Sequence, residues 1–372
     1  MSRRAPRTAF LALFTLFMPL LALSAPPALE DVIPADASIV VLVDDLPGLR
    51  EELPSSPLMR AWEDPAIRAA ILQFSGLEEL PDLPVWLLGE EESDAGSDDP
   101  HVQLLNSLTG QVAIMFDLEV MDSMQSEDDH LPSGFSLLAQ IEGHEKAVAD
   151  LLSSGGGDEA AAESATTVSL PAGTWKIARG VLAISGAPDG AEALVAALEG
   201  ASETAPLSTG AGFQTMRRHA ANSDLEVLVN LAPVMDLAQK ALDSEEGALP
   251  DNPLGIAPQD LLRGLGLDVF RSMWFSLRLS PEVTESTGGI TFAEERGLIR
   301  LAAFQPLPAG RHLPLPAEAI DASTFMFDFS AAWKAALEIT TDISPVIGAA
   351  MEAQIVQMSA QLGIDLGKEI PG

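Results

Sequence analysis

Three stretches of the chain alternate apolar side chains, end in Asp or Asn, and pass into apolar residues spaced three or four apart. The first runs Ile39-Val40-Val41-Leu42-Val43-Asp44 and leads to Leu46, Leu49 and Leu53. The second runs Leu225-Glu226-Val227-Leu228-Val229-Asn230 and leads to Val234, Leu237 and Leu242. The third runs Thr324-Phe325-Met326-Phe327-Asp328 and leads to Trp333, Leu337 and Ile339. A period of two marks a strand, and the wider spacing marks a helix covering one side. Asp36-Ala37-Ser38 before the first strand matches Asp321-Ala322-Ser323 before the third. An oxygen at a strand end can accept an orphan backbone N–H of the helix that follows, so Asp44, Asn230 and Asp328 are expected to be helix N-caps.

Between these units, turn residues bound further strands. Residues 111–118 and 135–142 read as an antiparallel pair, the second feeding a helix over 144–152. Residues 168–170, 175–178 and 181–185 read as a meander turning at Pro171-Ala172-Gly173 and Arg179-Gly180, with a helix over 191–198 after it. A second meander is expected from strands at 273–279, 289–293 and 298–304, the last turn lying at 294–297. Meanders punctuated by single helices predict an α+β fold with mostly antiparallel sheets, strand-to-helix repeat units and two related halves. The long acidic stretches 89–101, 122–133 and 153–166 are poor in apolar residues and read as loops. Residues 243–258, rich in Pro, Gly and acid, read as a linker between an N-terminal domain over 30–242 and a C-terminal domain over 259–372.

The N-terminus has a separate pattern. Arg3, Arg4 and Arg7 precede an apolar stretch over 9–23 that is shorter than a bilayer span and interrupted by Pro19. Small residues follow at Ala22, Ser24 and Ala25, and Pro26-Pro27 stops any helix there. This is the layout of a secretory signal peptide over 1–25, with cleavage near Ser24 or Ala25 and export to the periplasm or cell exterior. The Arg3-Arg4 pair raises twin-arginine export, but Ala5-Pro6-Arg7 does not continue with the apolar residues that pathway favours, so general secretion is the reading. The chain has no Cys, hence no thiol for lipid attachment and no disulfide.

Charge narrows the partners. Fifty-five acidic residues face 20 basic ones, for a formal charge of -35. So acidic a chain is repelled by nucleic acid and by anionic membranes, and nucleic-acid binding is not expected. No stable membrane span is expected once the signal peptide is removed. A surface rich in acid and poor in Lys also suits strong salt, which screens its self-repulsion.

Several passages resemble bacterial exported proteins grouped as domain of unknown function 3352. They are Pro34-Ala35-Asp36-Ala37 before a strand, Ser56-Pro57-Leu58, Asp64-Pro65, and Leu108-Thr109-Gly110 opening a strand. Phe213 leading through Asp224 to Leu225, and Gly363-Ile364-Asp365-Leu366, complete the likeness, which spans most of the chain after residue 25. The resemblance implies an exported α+β protein with no agreed activity and no catalytic residues to carry over. Members of that family continue past such a Gly-Ile-Asp-Leu segment into another strand, whereas this chain stops at Gly372, so the resemblance also implies a longer natural protein.

Candidate chemistry is sparse. His144-Glu145 would need a second His four residues on to share a metal, and position 148 is Val. Residues 363–368 fall one short of a phosphate loop, and Glu369 stands where a hydroxyl would meet magnesium. Ser136 in Gly134-Phe135-Ser136-Leu137-Leu138 lacks the closing Gly of a nucleophile elbow. His101, His130, His144, His219 and His312 do not cluster at metal-ligand spacing. Asp94, Asp98 and Asp99, or Glu127, Asp128 and Asp129, offer oxygen ligands to calcium, but without an Asp-x-Asp-x-Asp-Gly loop they read as solvated acid. Ile347, Met351, Ile355, Met358 and Leu362 mark one face of a C-terminal helix over 345–362, which packs into a core or forms a greasy groove. With too little strand after it to supply a cover, this helix is expected to be less buried than the comparable stretch over 62–74, or to pack on the preceding domain. No catalytic, cofactor or metal residue is assigned. The expected function is an exported, non-catalytic binding or scaffold protein, whose partner is another protein or an apolar ligand. The alternatives are a periplasmic carrier of an apolar ligand, or an enzyme whose site is assembled from residues far apart in sequence.

Overall fold

The computed structural model describes residues 26–75, 100–117, 131–153, 173–202, 204–243, 256–302, 304–305 and 326–363. The signal segment, residues 168–170, most of the three acidic stretches, linker residues 244–255 and the calcium candidates lie outside them.

The chain is mixed α/β around an eight-stranded antiparallel sheet ordered β4-β5-β3-β2-β1-β6-β7-β8. Its strands are β1 (Ile39–Val43), β2 (Val112–Phe116), β3 (Phe135–Gln140), β4 (Thr174–Ala178), β5 (Val181–Ser185), β6 (Leu225–Asn230), β7 (Phe270–Leu279) and β8 (Thr284–Phe292). The helices in chain order are α1 (Leu46–Glu52), α2 (Pro57–Glu63), α3 (Pro65–Ser75), α4 (Pro100–Asn106), α5 (Glu145–Ser153), α6 (Gly190–Leu198) and α7 (Ala211–His219), followed by α8 (Leu231–Asp243), α9 (Pro258–Leu265), α10 (Leu298–Leu301), α11 (Phe329–Ile343) and α12 (Pro345–Leu362). A short pair, β9 (Phe304–Gln305) and β10 (Met326–Phe327), lies apart from the main sheet.

The chain divides into two compact units. One comprises residues 1–230 and 273–289, the other 231–272 and 290–372. This division is not a cut between two consecutive halves, because the later strands return to the sheet of the first unit.

Around β5 both sheet faces are covered, so that strand is buried at all five positions, whereas β7 alternates buried and exposed residues. Register aligns the inward residues into rows, since side chains alternate across a strand. One row crosses the sheet as Lys176, Ala183, Leu138, Ala113, Leu42 and Glu226. Apart from the two polar ends, this face packs beneath Leu29, Ile33, Leu194, Leu207, Phe213 and Met216, all buried. On the opposite face Val43, Val112 and Ala139 meet Leu46, Leu49 and Leu53 of the first predicted helix. Nearby, Leu182 and Ile184 meet Val148 and Leu152 of α5.

Arg179 and Gly180 make the tight β4–β5 turn with φ of 51° and 73°, a left-handed pair that matches the twist of the hairpin. The Arg179 guanidinium donates to the Leu198 carbonyl at 2.7 Å, fastening this turn to the end of α6.

The three expected caps differ. Asp328 caps α11, accepting from Ala331 N at 2.9 Å. Asn230 ends β6 directly before α8. Asp44 is not the cap of α1: its neighbour Asp45 is, accepting from Gly48 N at 3.2 Å. One residue decides this, because adjacent side chains leave an extended backbone on opposite sides and Asp44 faces an arginine instead. The second meander also differs. β7 and β8 form its hairpin, but residues 298–301 are a helical turn and the strand is only Phe304–Gln305.

In the second unit Gly264 of α9 lies against Ile343 of α11, too close for any side chain. α12 follows α11 after Ser344 and packs beside it. Its residues Ile347, Met351 and Ile355 are half-buried, whereas Val346, Val356 and Met358 are exposed; the Leu362 side chain is outside the described set. In the stretch at 62–74 the described side chains, which leave out Ile71 and Phe74, are likewise exposed or half-buried, so they show no contrast in burial with α12. Among the described residues no helix is long and apolar enough to cross a membrane.

Candidate functional site

Two features interrupt the apolar packing of the sheet face beneath α6 and α7. The first is a charged cluster at the C-terminal end of β1. α7 presents Arg217 one turn after Phe213, whose ring lies 5.2 Å from the guanidinium carbon. Arg217 grips Asp44 with two hydrogen bonds, from Nη1 at 2.6 Å and Nη2 at 2.8 Å. Glu30, on the short 3-10 turn Leu29–Asp31, comes within 3.8 Å of Nη2. Glu226 on β6 brings Oε2 within 3.2 Å of Nε, yet neither of its buried oxygens gains a hydrogen bond. The near approach is therefore an ion-pair distance with poor alignment.

These contacts set the ionisation of the cluster. Burial pushes the Glu226 carboxyl up to about 8; Arg217 pulls it back, and the charges of Asp44 and Glu30 raise it further. Burial works against the charge on Arg217, but the hydrogen bond to Asp44 and the charges of Glu226, Asp44 and Glu30 outweigh it, so its pKa is raised.

Two amides link the cluster to the N-terminal segment. Gln111 accepts from Leu29 N at 2.9 Å and donates to Glu30 at 3.1 Å and Asp44 at 3.3 Å. Gln140 accepts from Gln111 N at 2.9 Å and donates to the Pro27 carbonyl at 3.0 Å. Residues 27–37 are thus strapped across the sheet, with Leu29 and Ile33 fully buried under them.

The second feature is a groove of about 550 Å³ at the other end of the same face. One wall is the strap, through Val32, Pro34, Asp36 and Ala37, and the other is α6, through Gly190, Ala193, Leu194 and Ala197. Met115, Ser136 and Ser185 line the sheet side, and Asp117 stands at the end of β2. Alternation explains the set: Ser185, Ser136 and Met115 share one cross-sheet row. The groove exists because α6 is built from small residues on this side. A Cβ on Gly190 would collide with Ser185, so only Gly lets the helix start this close to the strand.

The chemistry of the lining is mild. Ser136 Oγ donates to Ser185 Oγ at 3.1 Å, and Ser185 Oγ also accepts from Ala187 N at 3.1 Å. Neither serine bonds to a titratable side chain, and among the described lining residues there is no His, Lys or Arg. Asp117 accepts a long contact from Ser38 at 3.5 Å, and both Asp36 and Asp117 are exposed.

The residues singled out by motif stay apart. His144 precedes α5 and borders a separate, wider-open depression with Gln103, Asn106 and Asp150. His219 stacks on Trp274, ring centroids 6.1 Å apart. Gly363 ends α12 in the left-handed conformation, φ 70°, which makes it a helix stop rather than the start of a phosphate loop. Among the described residues no three His, Asp or Glu side chains are placed to hold a metal ion. Ser136 alone belongs to the groove. Arg217 and Gln111 carried no sequence signal, while Glu226 carried one: it is the acidic residue at an inward position of the second alternating strand.

Against known proteins, no family model, no curated protein and no solved structure matches the chain.

Proposed function

We propose that this chain is an exported, non-catalytic binding protein whose ligand site is the groove between the strap and α6. The observation that carries the reading is the groove itself, a half-open space of about 550 Å³ lined by the sheet, α6, the strap and the short segments that supply Ser133, Gly134, Ala201, Ser202 and Thr204. Concave sites that combine apolar surface with a small number of placed polar groups are the usual form of small-ligand sites. Met115, Leu194 and Val32 supply apolar surface, and among the described lining residues Asp36 and Asp117 are the charged ones. In a chain of formal charge -35 that composition disfavours anions. The ligand class is a small amphiphile with an apolar body and a cationic or neutral head. The serines, bonded to each other and to backbone, favour binding over catalysis.

Export rests on the charged, apolar and small-residue order of residues 1–25, and on the resemblance to the exported family of domain of unknown function 3352. The strand-to-helix pattern at Ile39, Leu225 and Thr324 supports a chain built from related units.

The test is calorimetric titration with decyltrimethylammonium and with decanoate, both below micelle-forming concentration. Saturable binding of the cation, none of the carboxylate, and loss of binding in Ala193→Trp are expected. Ala193 is exposed on the groove wall, so the larger side chain fills the space without disturbing the core. Equal binding by wild type and Ala193→Trp would place the ligand elsewhere.

A further inference from the structure

We infer that the strap, residues 27–37, is a pH-responsive latch on the groove, held down while Glu226 is protonated and loosened when Glu226 ionises. The inference rests on the groove being the ligand site, since Val32, Pro34, Asp36 and Ala37 of the strap form one of its walls.

The geometry points to Glu30 as the contact that gives way. A single guanidinium faces three carboxylates, and they hold it unequally. Asp44 has two short hydrogen bonds, Glu226 lies at 3.2 Å, and Glu30 is at 3.8 Å with no hydrogen bond to Arg217. The charged groups acting on Glu226 are Arg217 from α7, Asp44 from the end of β1 and Glu30 from the strap. When Glu226 is neutral, Arg217 balances Asp44 and partly compensates Glu30. When Glu226 ionises, a second full negative charge stands beside Nε in a region with little water to screen it, where unlike and like charges both act strongly. Asp44 is anchored, and so is Glu226, which is only 1% exposed and fixed on a central strand. Glu30, on a short 3-10 turn, has the longest approach to Arg217 and no hydrogen bond to it, so it is the carboxylate that gives way.

Its departure breaks the Gln111 Nε2 bond to Glu30 and weakens the amide chain from Pro27 to Leu29. Farther along, the strap remains tied by Leu207 N to the Ile33 carbonyl at 2.7 Å and Ala35 N to the Ala205 carbonyl at 2.9 Å. Release is therefore local, beginning at the cluster and reaching the groove wall at Val32. Burial that pushes Glu226 up to about 8 places the transition in mildly alkaline solution.

Hydrogen exchange read by mass spectrometry tests the latch, on the full chain and on Glu226→Gln, between about pH 6.5 and about pH 9.5. Rates are corrected for the intrinsic pH dependence of exchange. In the wild type, protection over residues 29–33 is expected to fall at least about tenfold across this range, while 181–185 of β5 keep theirs, because opening is local. Glu226→Gln keeps protection at both ends of the range. Glu30→Gln serves as a second variant that leaves the buried position intact, and it too flattens the profile. A flat wild-type profile, the same fall in Glu226→Gln, or an equal fall in β5 would overturn the latch. Alkylammonium binding at the lower pH reads the groove alone, so loss of that binding with the exchange result intact rejects the groove and not the latch.

Discussion

Glu226→Gln gives the sharpest test of how the charged cluster affects stability. The carboxyl at this position binds its proton more tightly in the folded chain than in the unfolded one, its value moving from 4.5 to about 8. Between these two values the folded state holds more protons, so stability falls as pH rises through that window and levels off above about 8. Each pH unit of the window is worth about 1.4 kcal/mol, which sets a ceiling on the order of 5 kcal/mol for the full loss. A buried carboxylate can relax toward Arg217 once ionised, so a loss of about 2–4 kcal/mol is expected. Glutamine preserves the size of the side chain and removes the titration. Carboxylates outside the cluster and the overall acidity change stability with pH as well, but they act alike on both proteins and cancel in the difference. Urea unfolding of wild type and Glu226→Gln at about pH 5, 6, 7, 8 and 9 reads that difference directly. The variant should be equal to or slightly less stable than wild type near pH 5, and more stable by about 2–4 kcal/mol near pH 9. A difference that stays constant over this range would mean that Glu226 is ionised in the folded chain throughout, contrary to its burial.

Other expectations follow from single contacts. Arg217→Ala removes the cation that Asp44 grips and leaves that carboxylate without its ion-pair partner, which should cost about 3–5 kcal/mol near neutral pH, read by urea unfolding. Asp45→Ala and Asp328→Ala each remove a helix cap and should cost about 1 kcal/mol by thermal or urea unfolding. Asp44→Ala should cost clearly more than Asp45→Ala, which separates the ion-pair role from the cap role. Gly190→Ala drives a Cβ into Ser185 and should cost about 1–3 kcal/mol while weakening alkylammonium binding in the calorimeter. Mass spectrometry of the exported protein should find its N-terminus between Ser24 and Ala28; a retained Met1 would contradict processing.

Much of the sheet was legible because alternation is a local property. β1, β6 and the β4–β5 hairpin follow from runs of Val, Leu and Ile flanked by Gly and Asp, and the apolar positions 46, 49 and 53 specify the helix after β1. Local pattern failed where one residue or one turn decides. Asp44 and Asp45 are chemically alike, and only the position of Arg217, 173 residues away, draws Asp44 out of the capping role. Residues 298–301 are apolar enough for a strand, yet after Gly297 at φ 61° they wind into a turn of helix. Strand order was not legible either, since β1 lies between β2 and β6 and the last hairpin returns to the first unit. That return is why the compact units are not consecutive along the chain. The groove escaped notice for a related reason. Its residues come from separate segments: Ala193 and Ala197 lie in a helix expected over 191–198, and nothing in the sequence sets Ser185 and the strap beside them.

Methyl NMR with alkylammonium titration shows whether ligand enters between the strap and α6. Saturable shifts confined to Met115, Ala193, Leu194 and Ala197 are expected, with the core methyls of Leu46 and Leu152 unmoved. Absence of shifts at the groove, or shifts centred on the exposed Val346 and Val356 of α12, would contradict entry there.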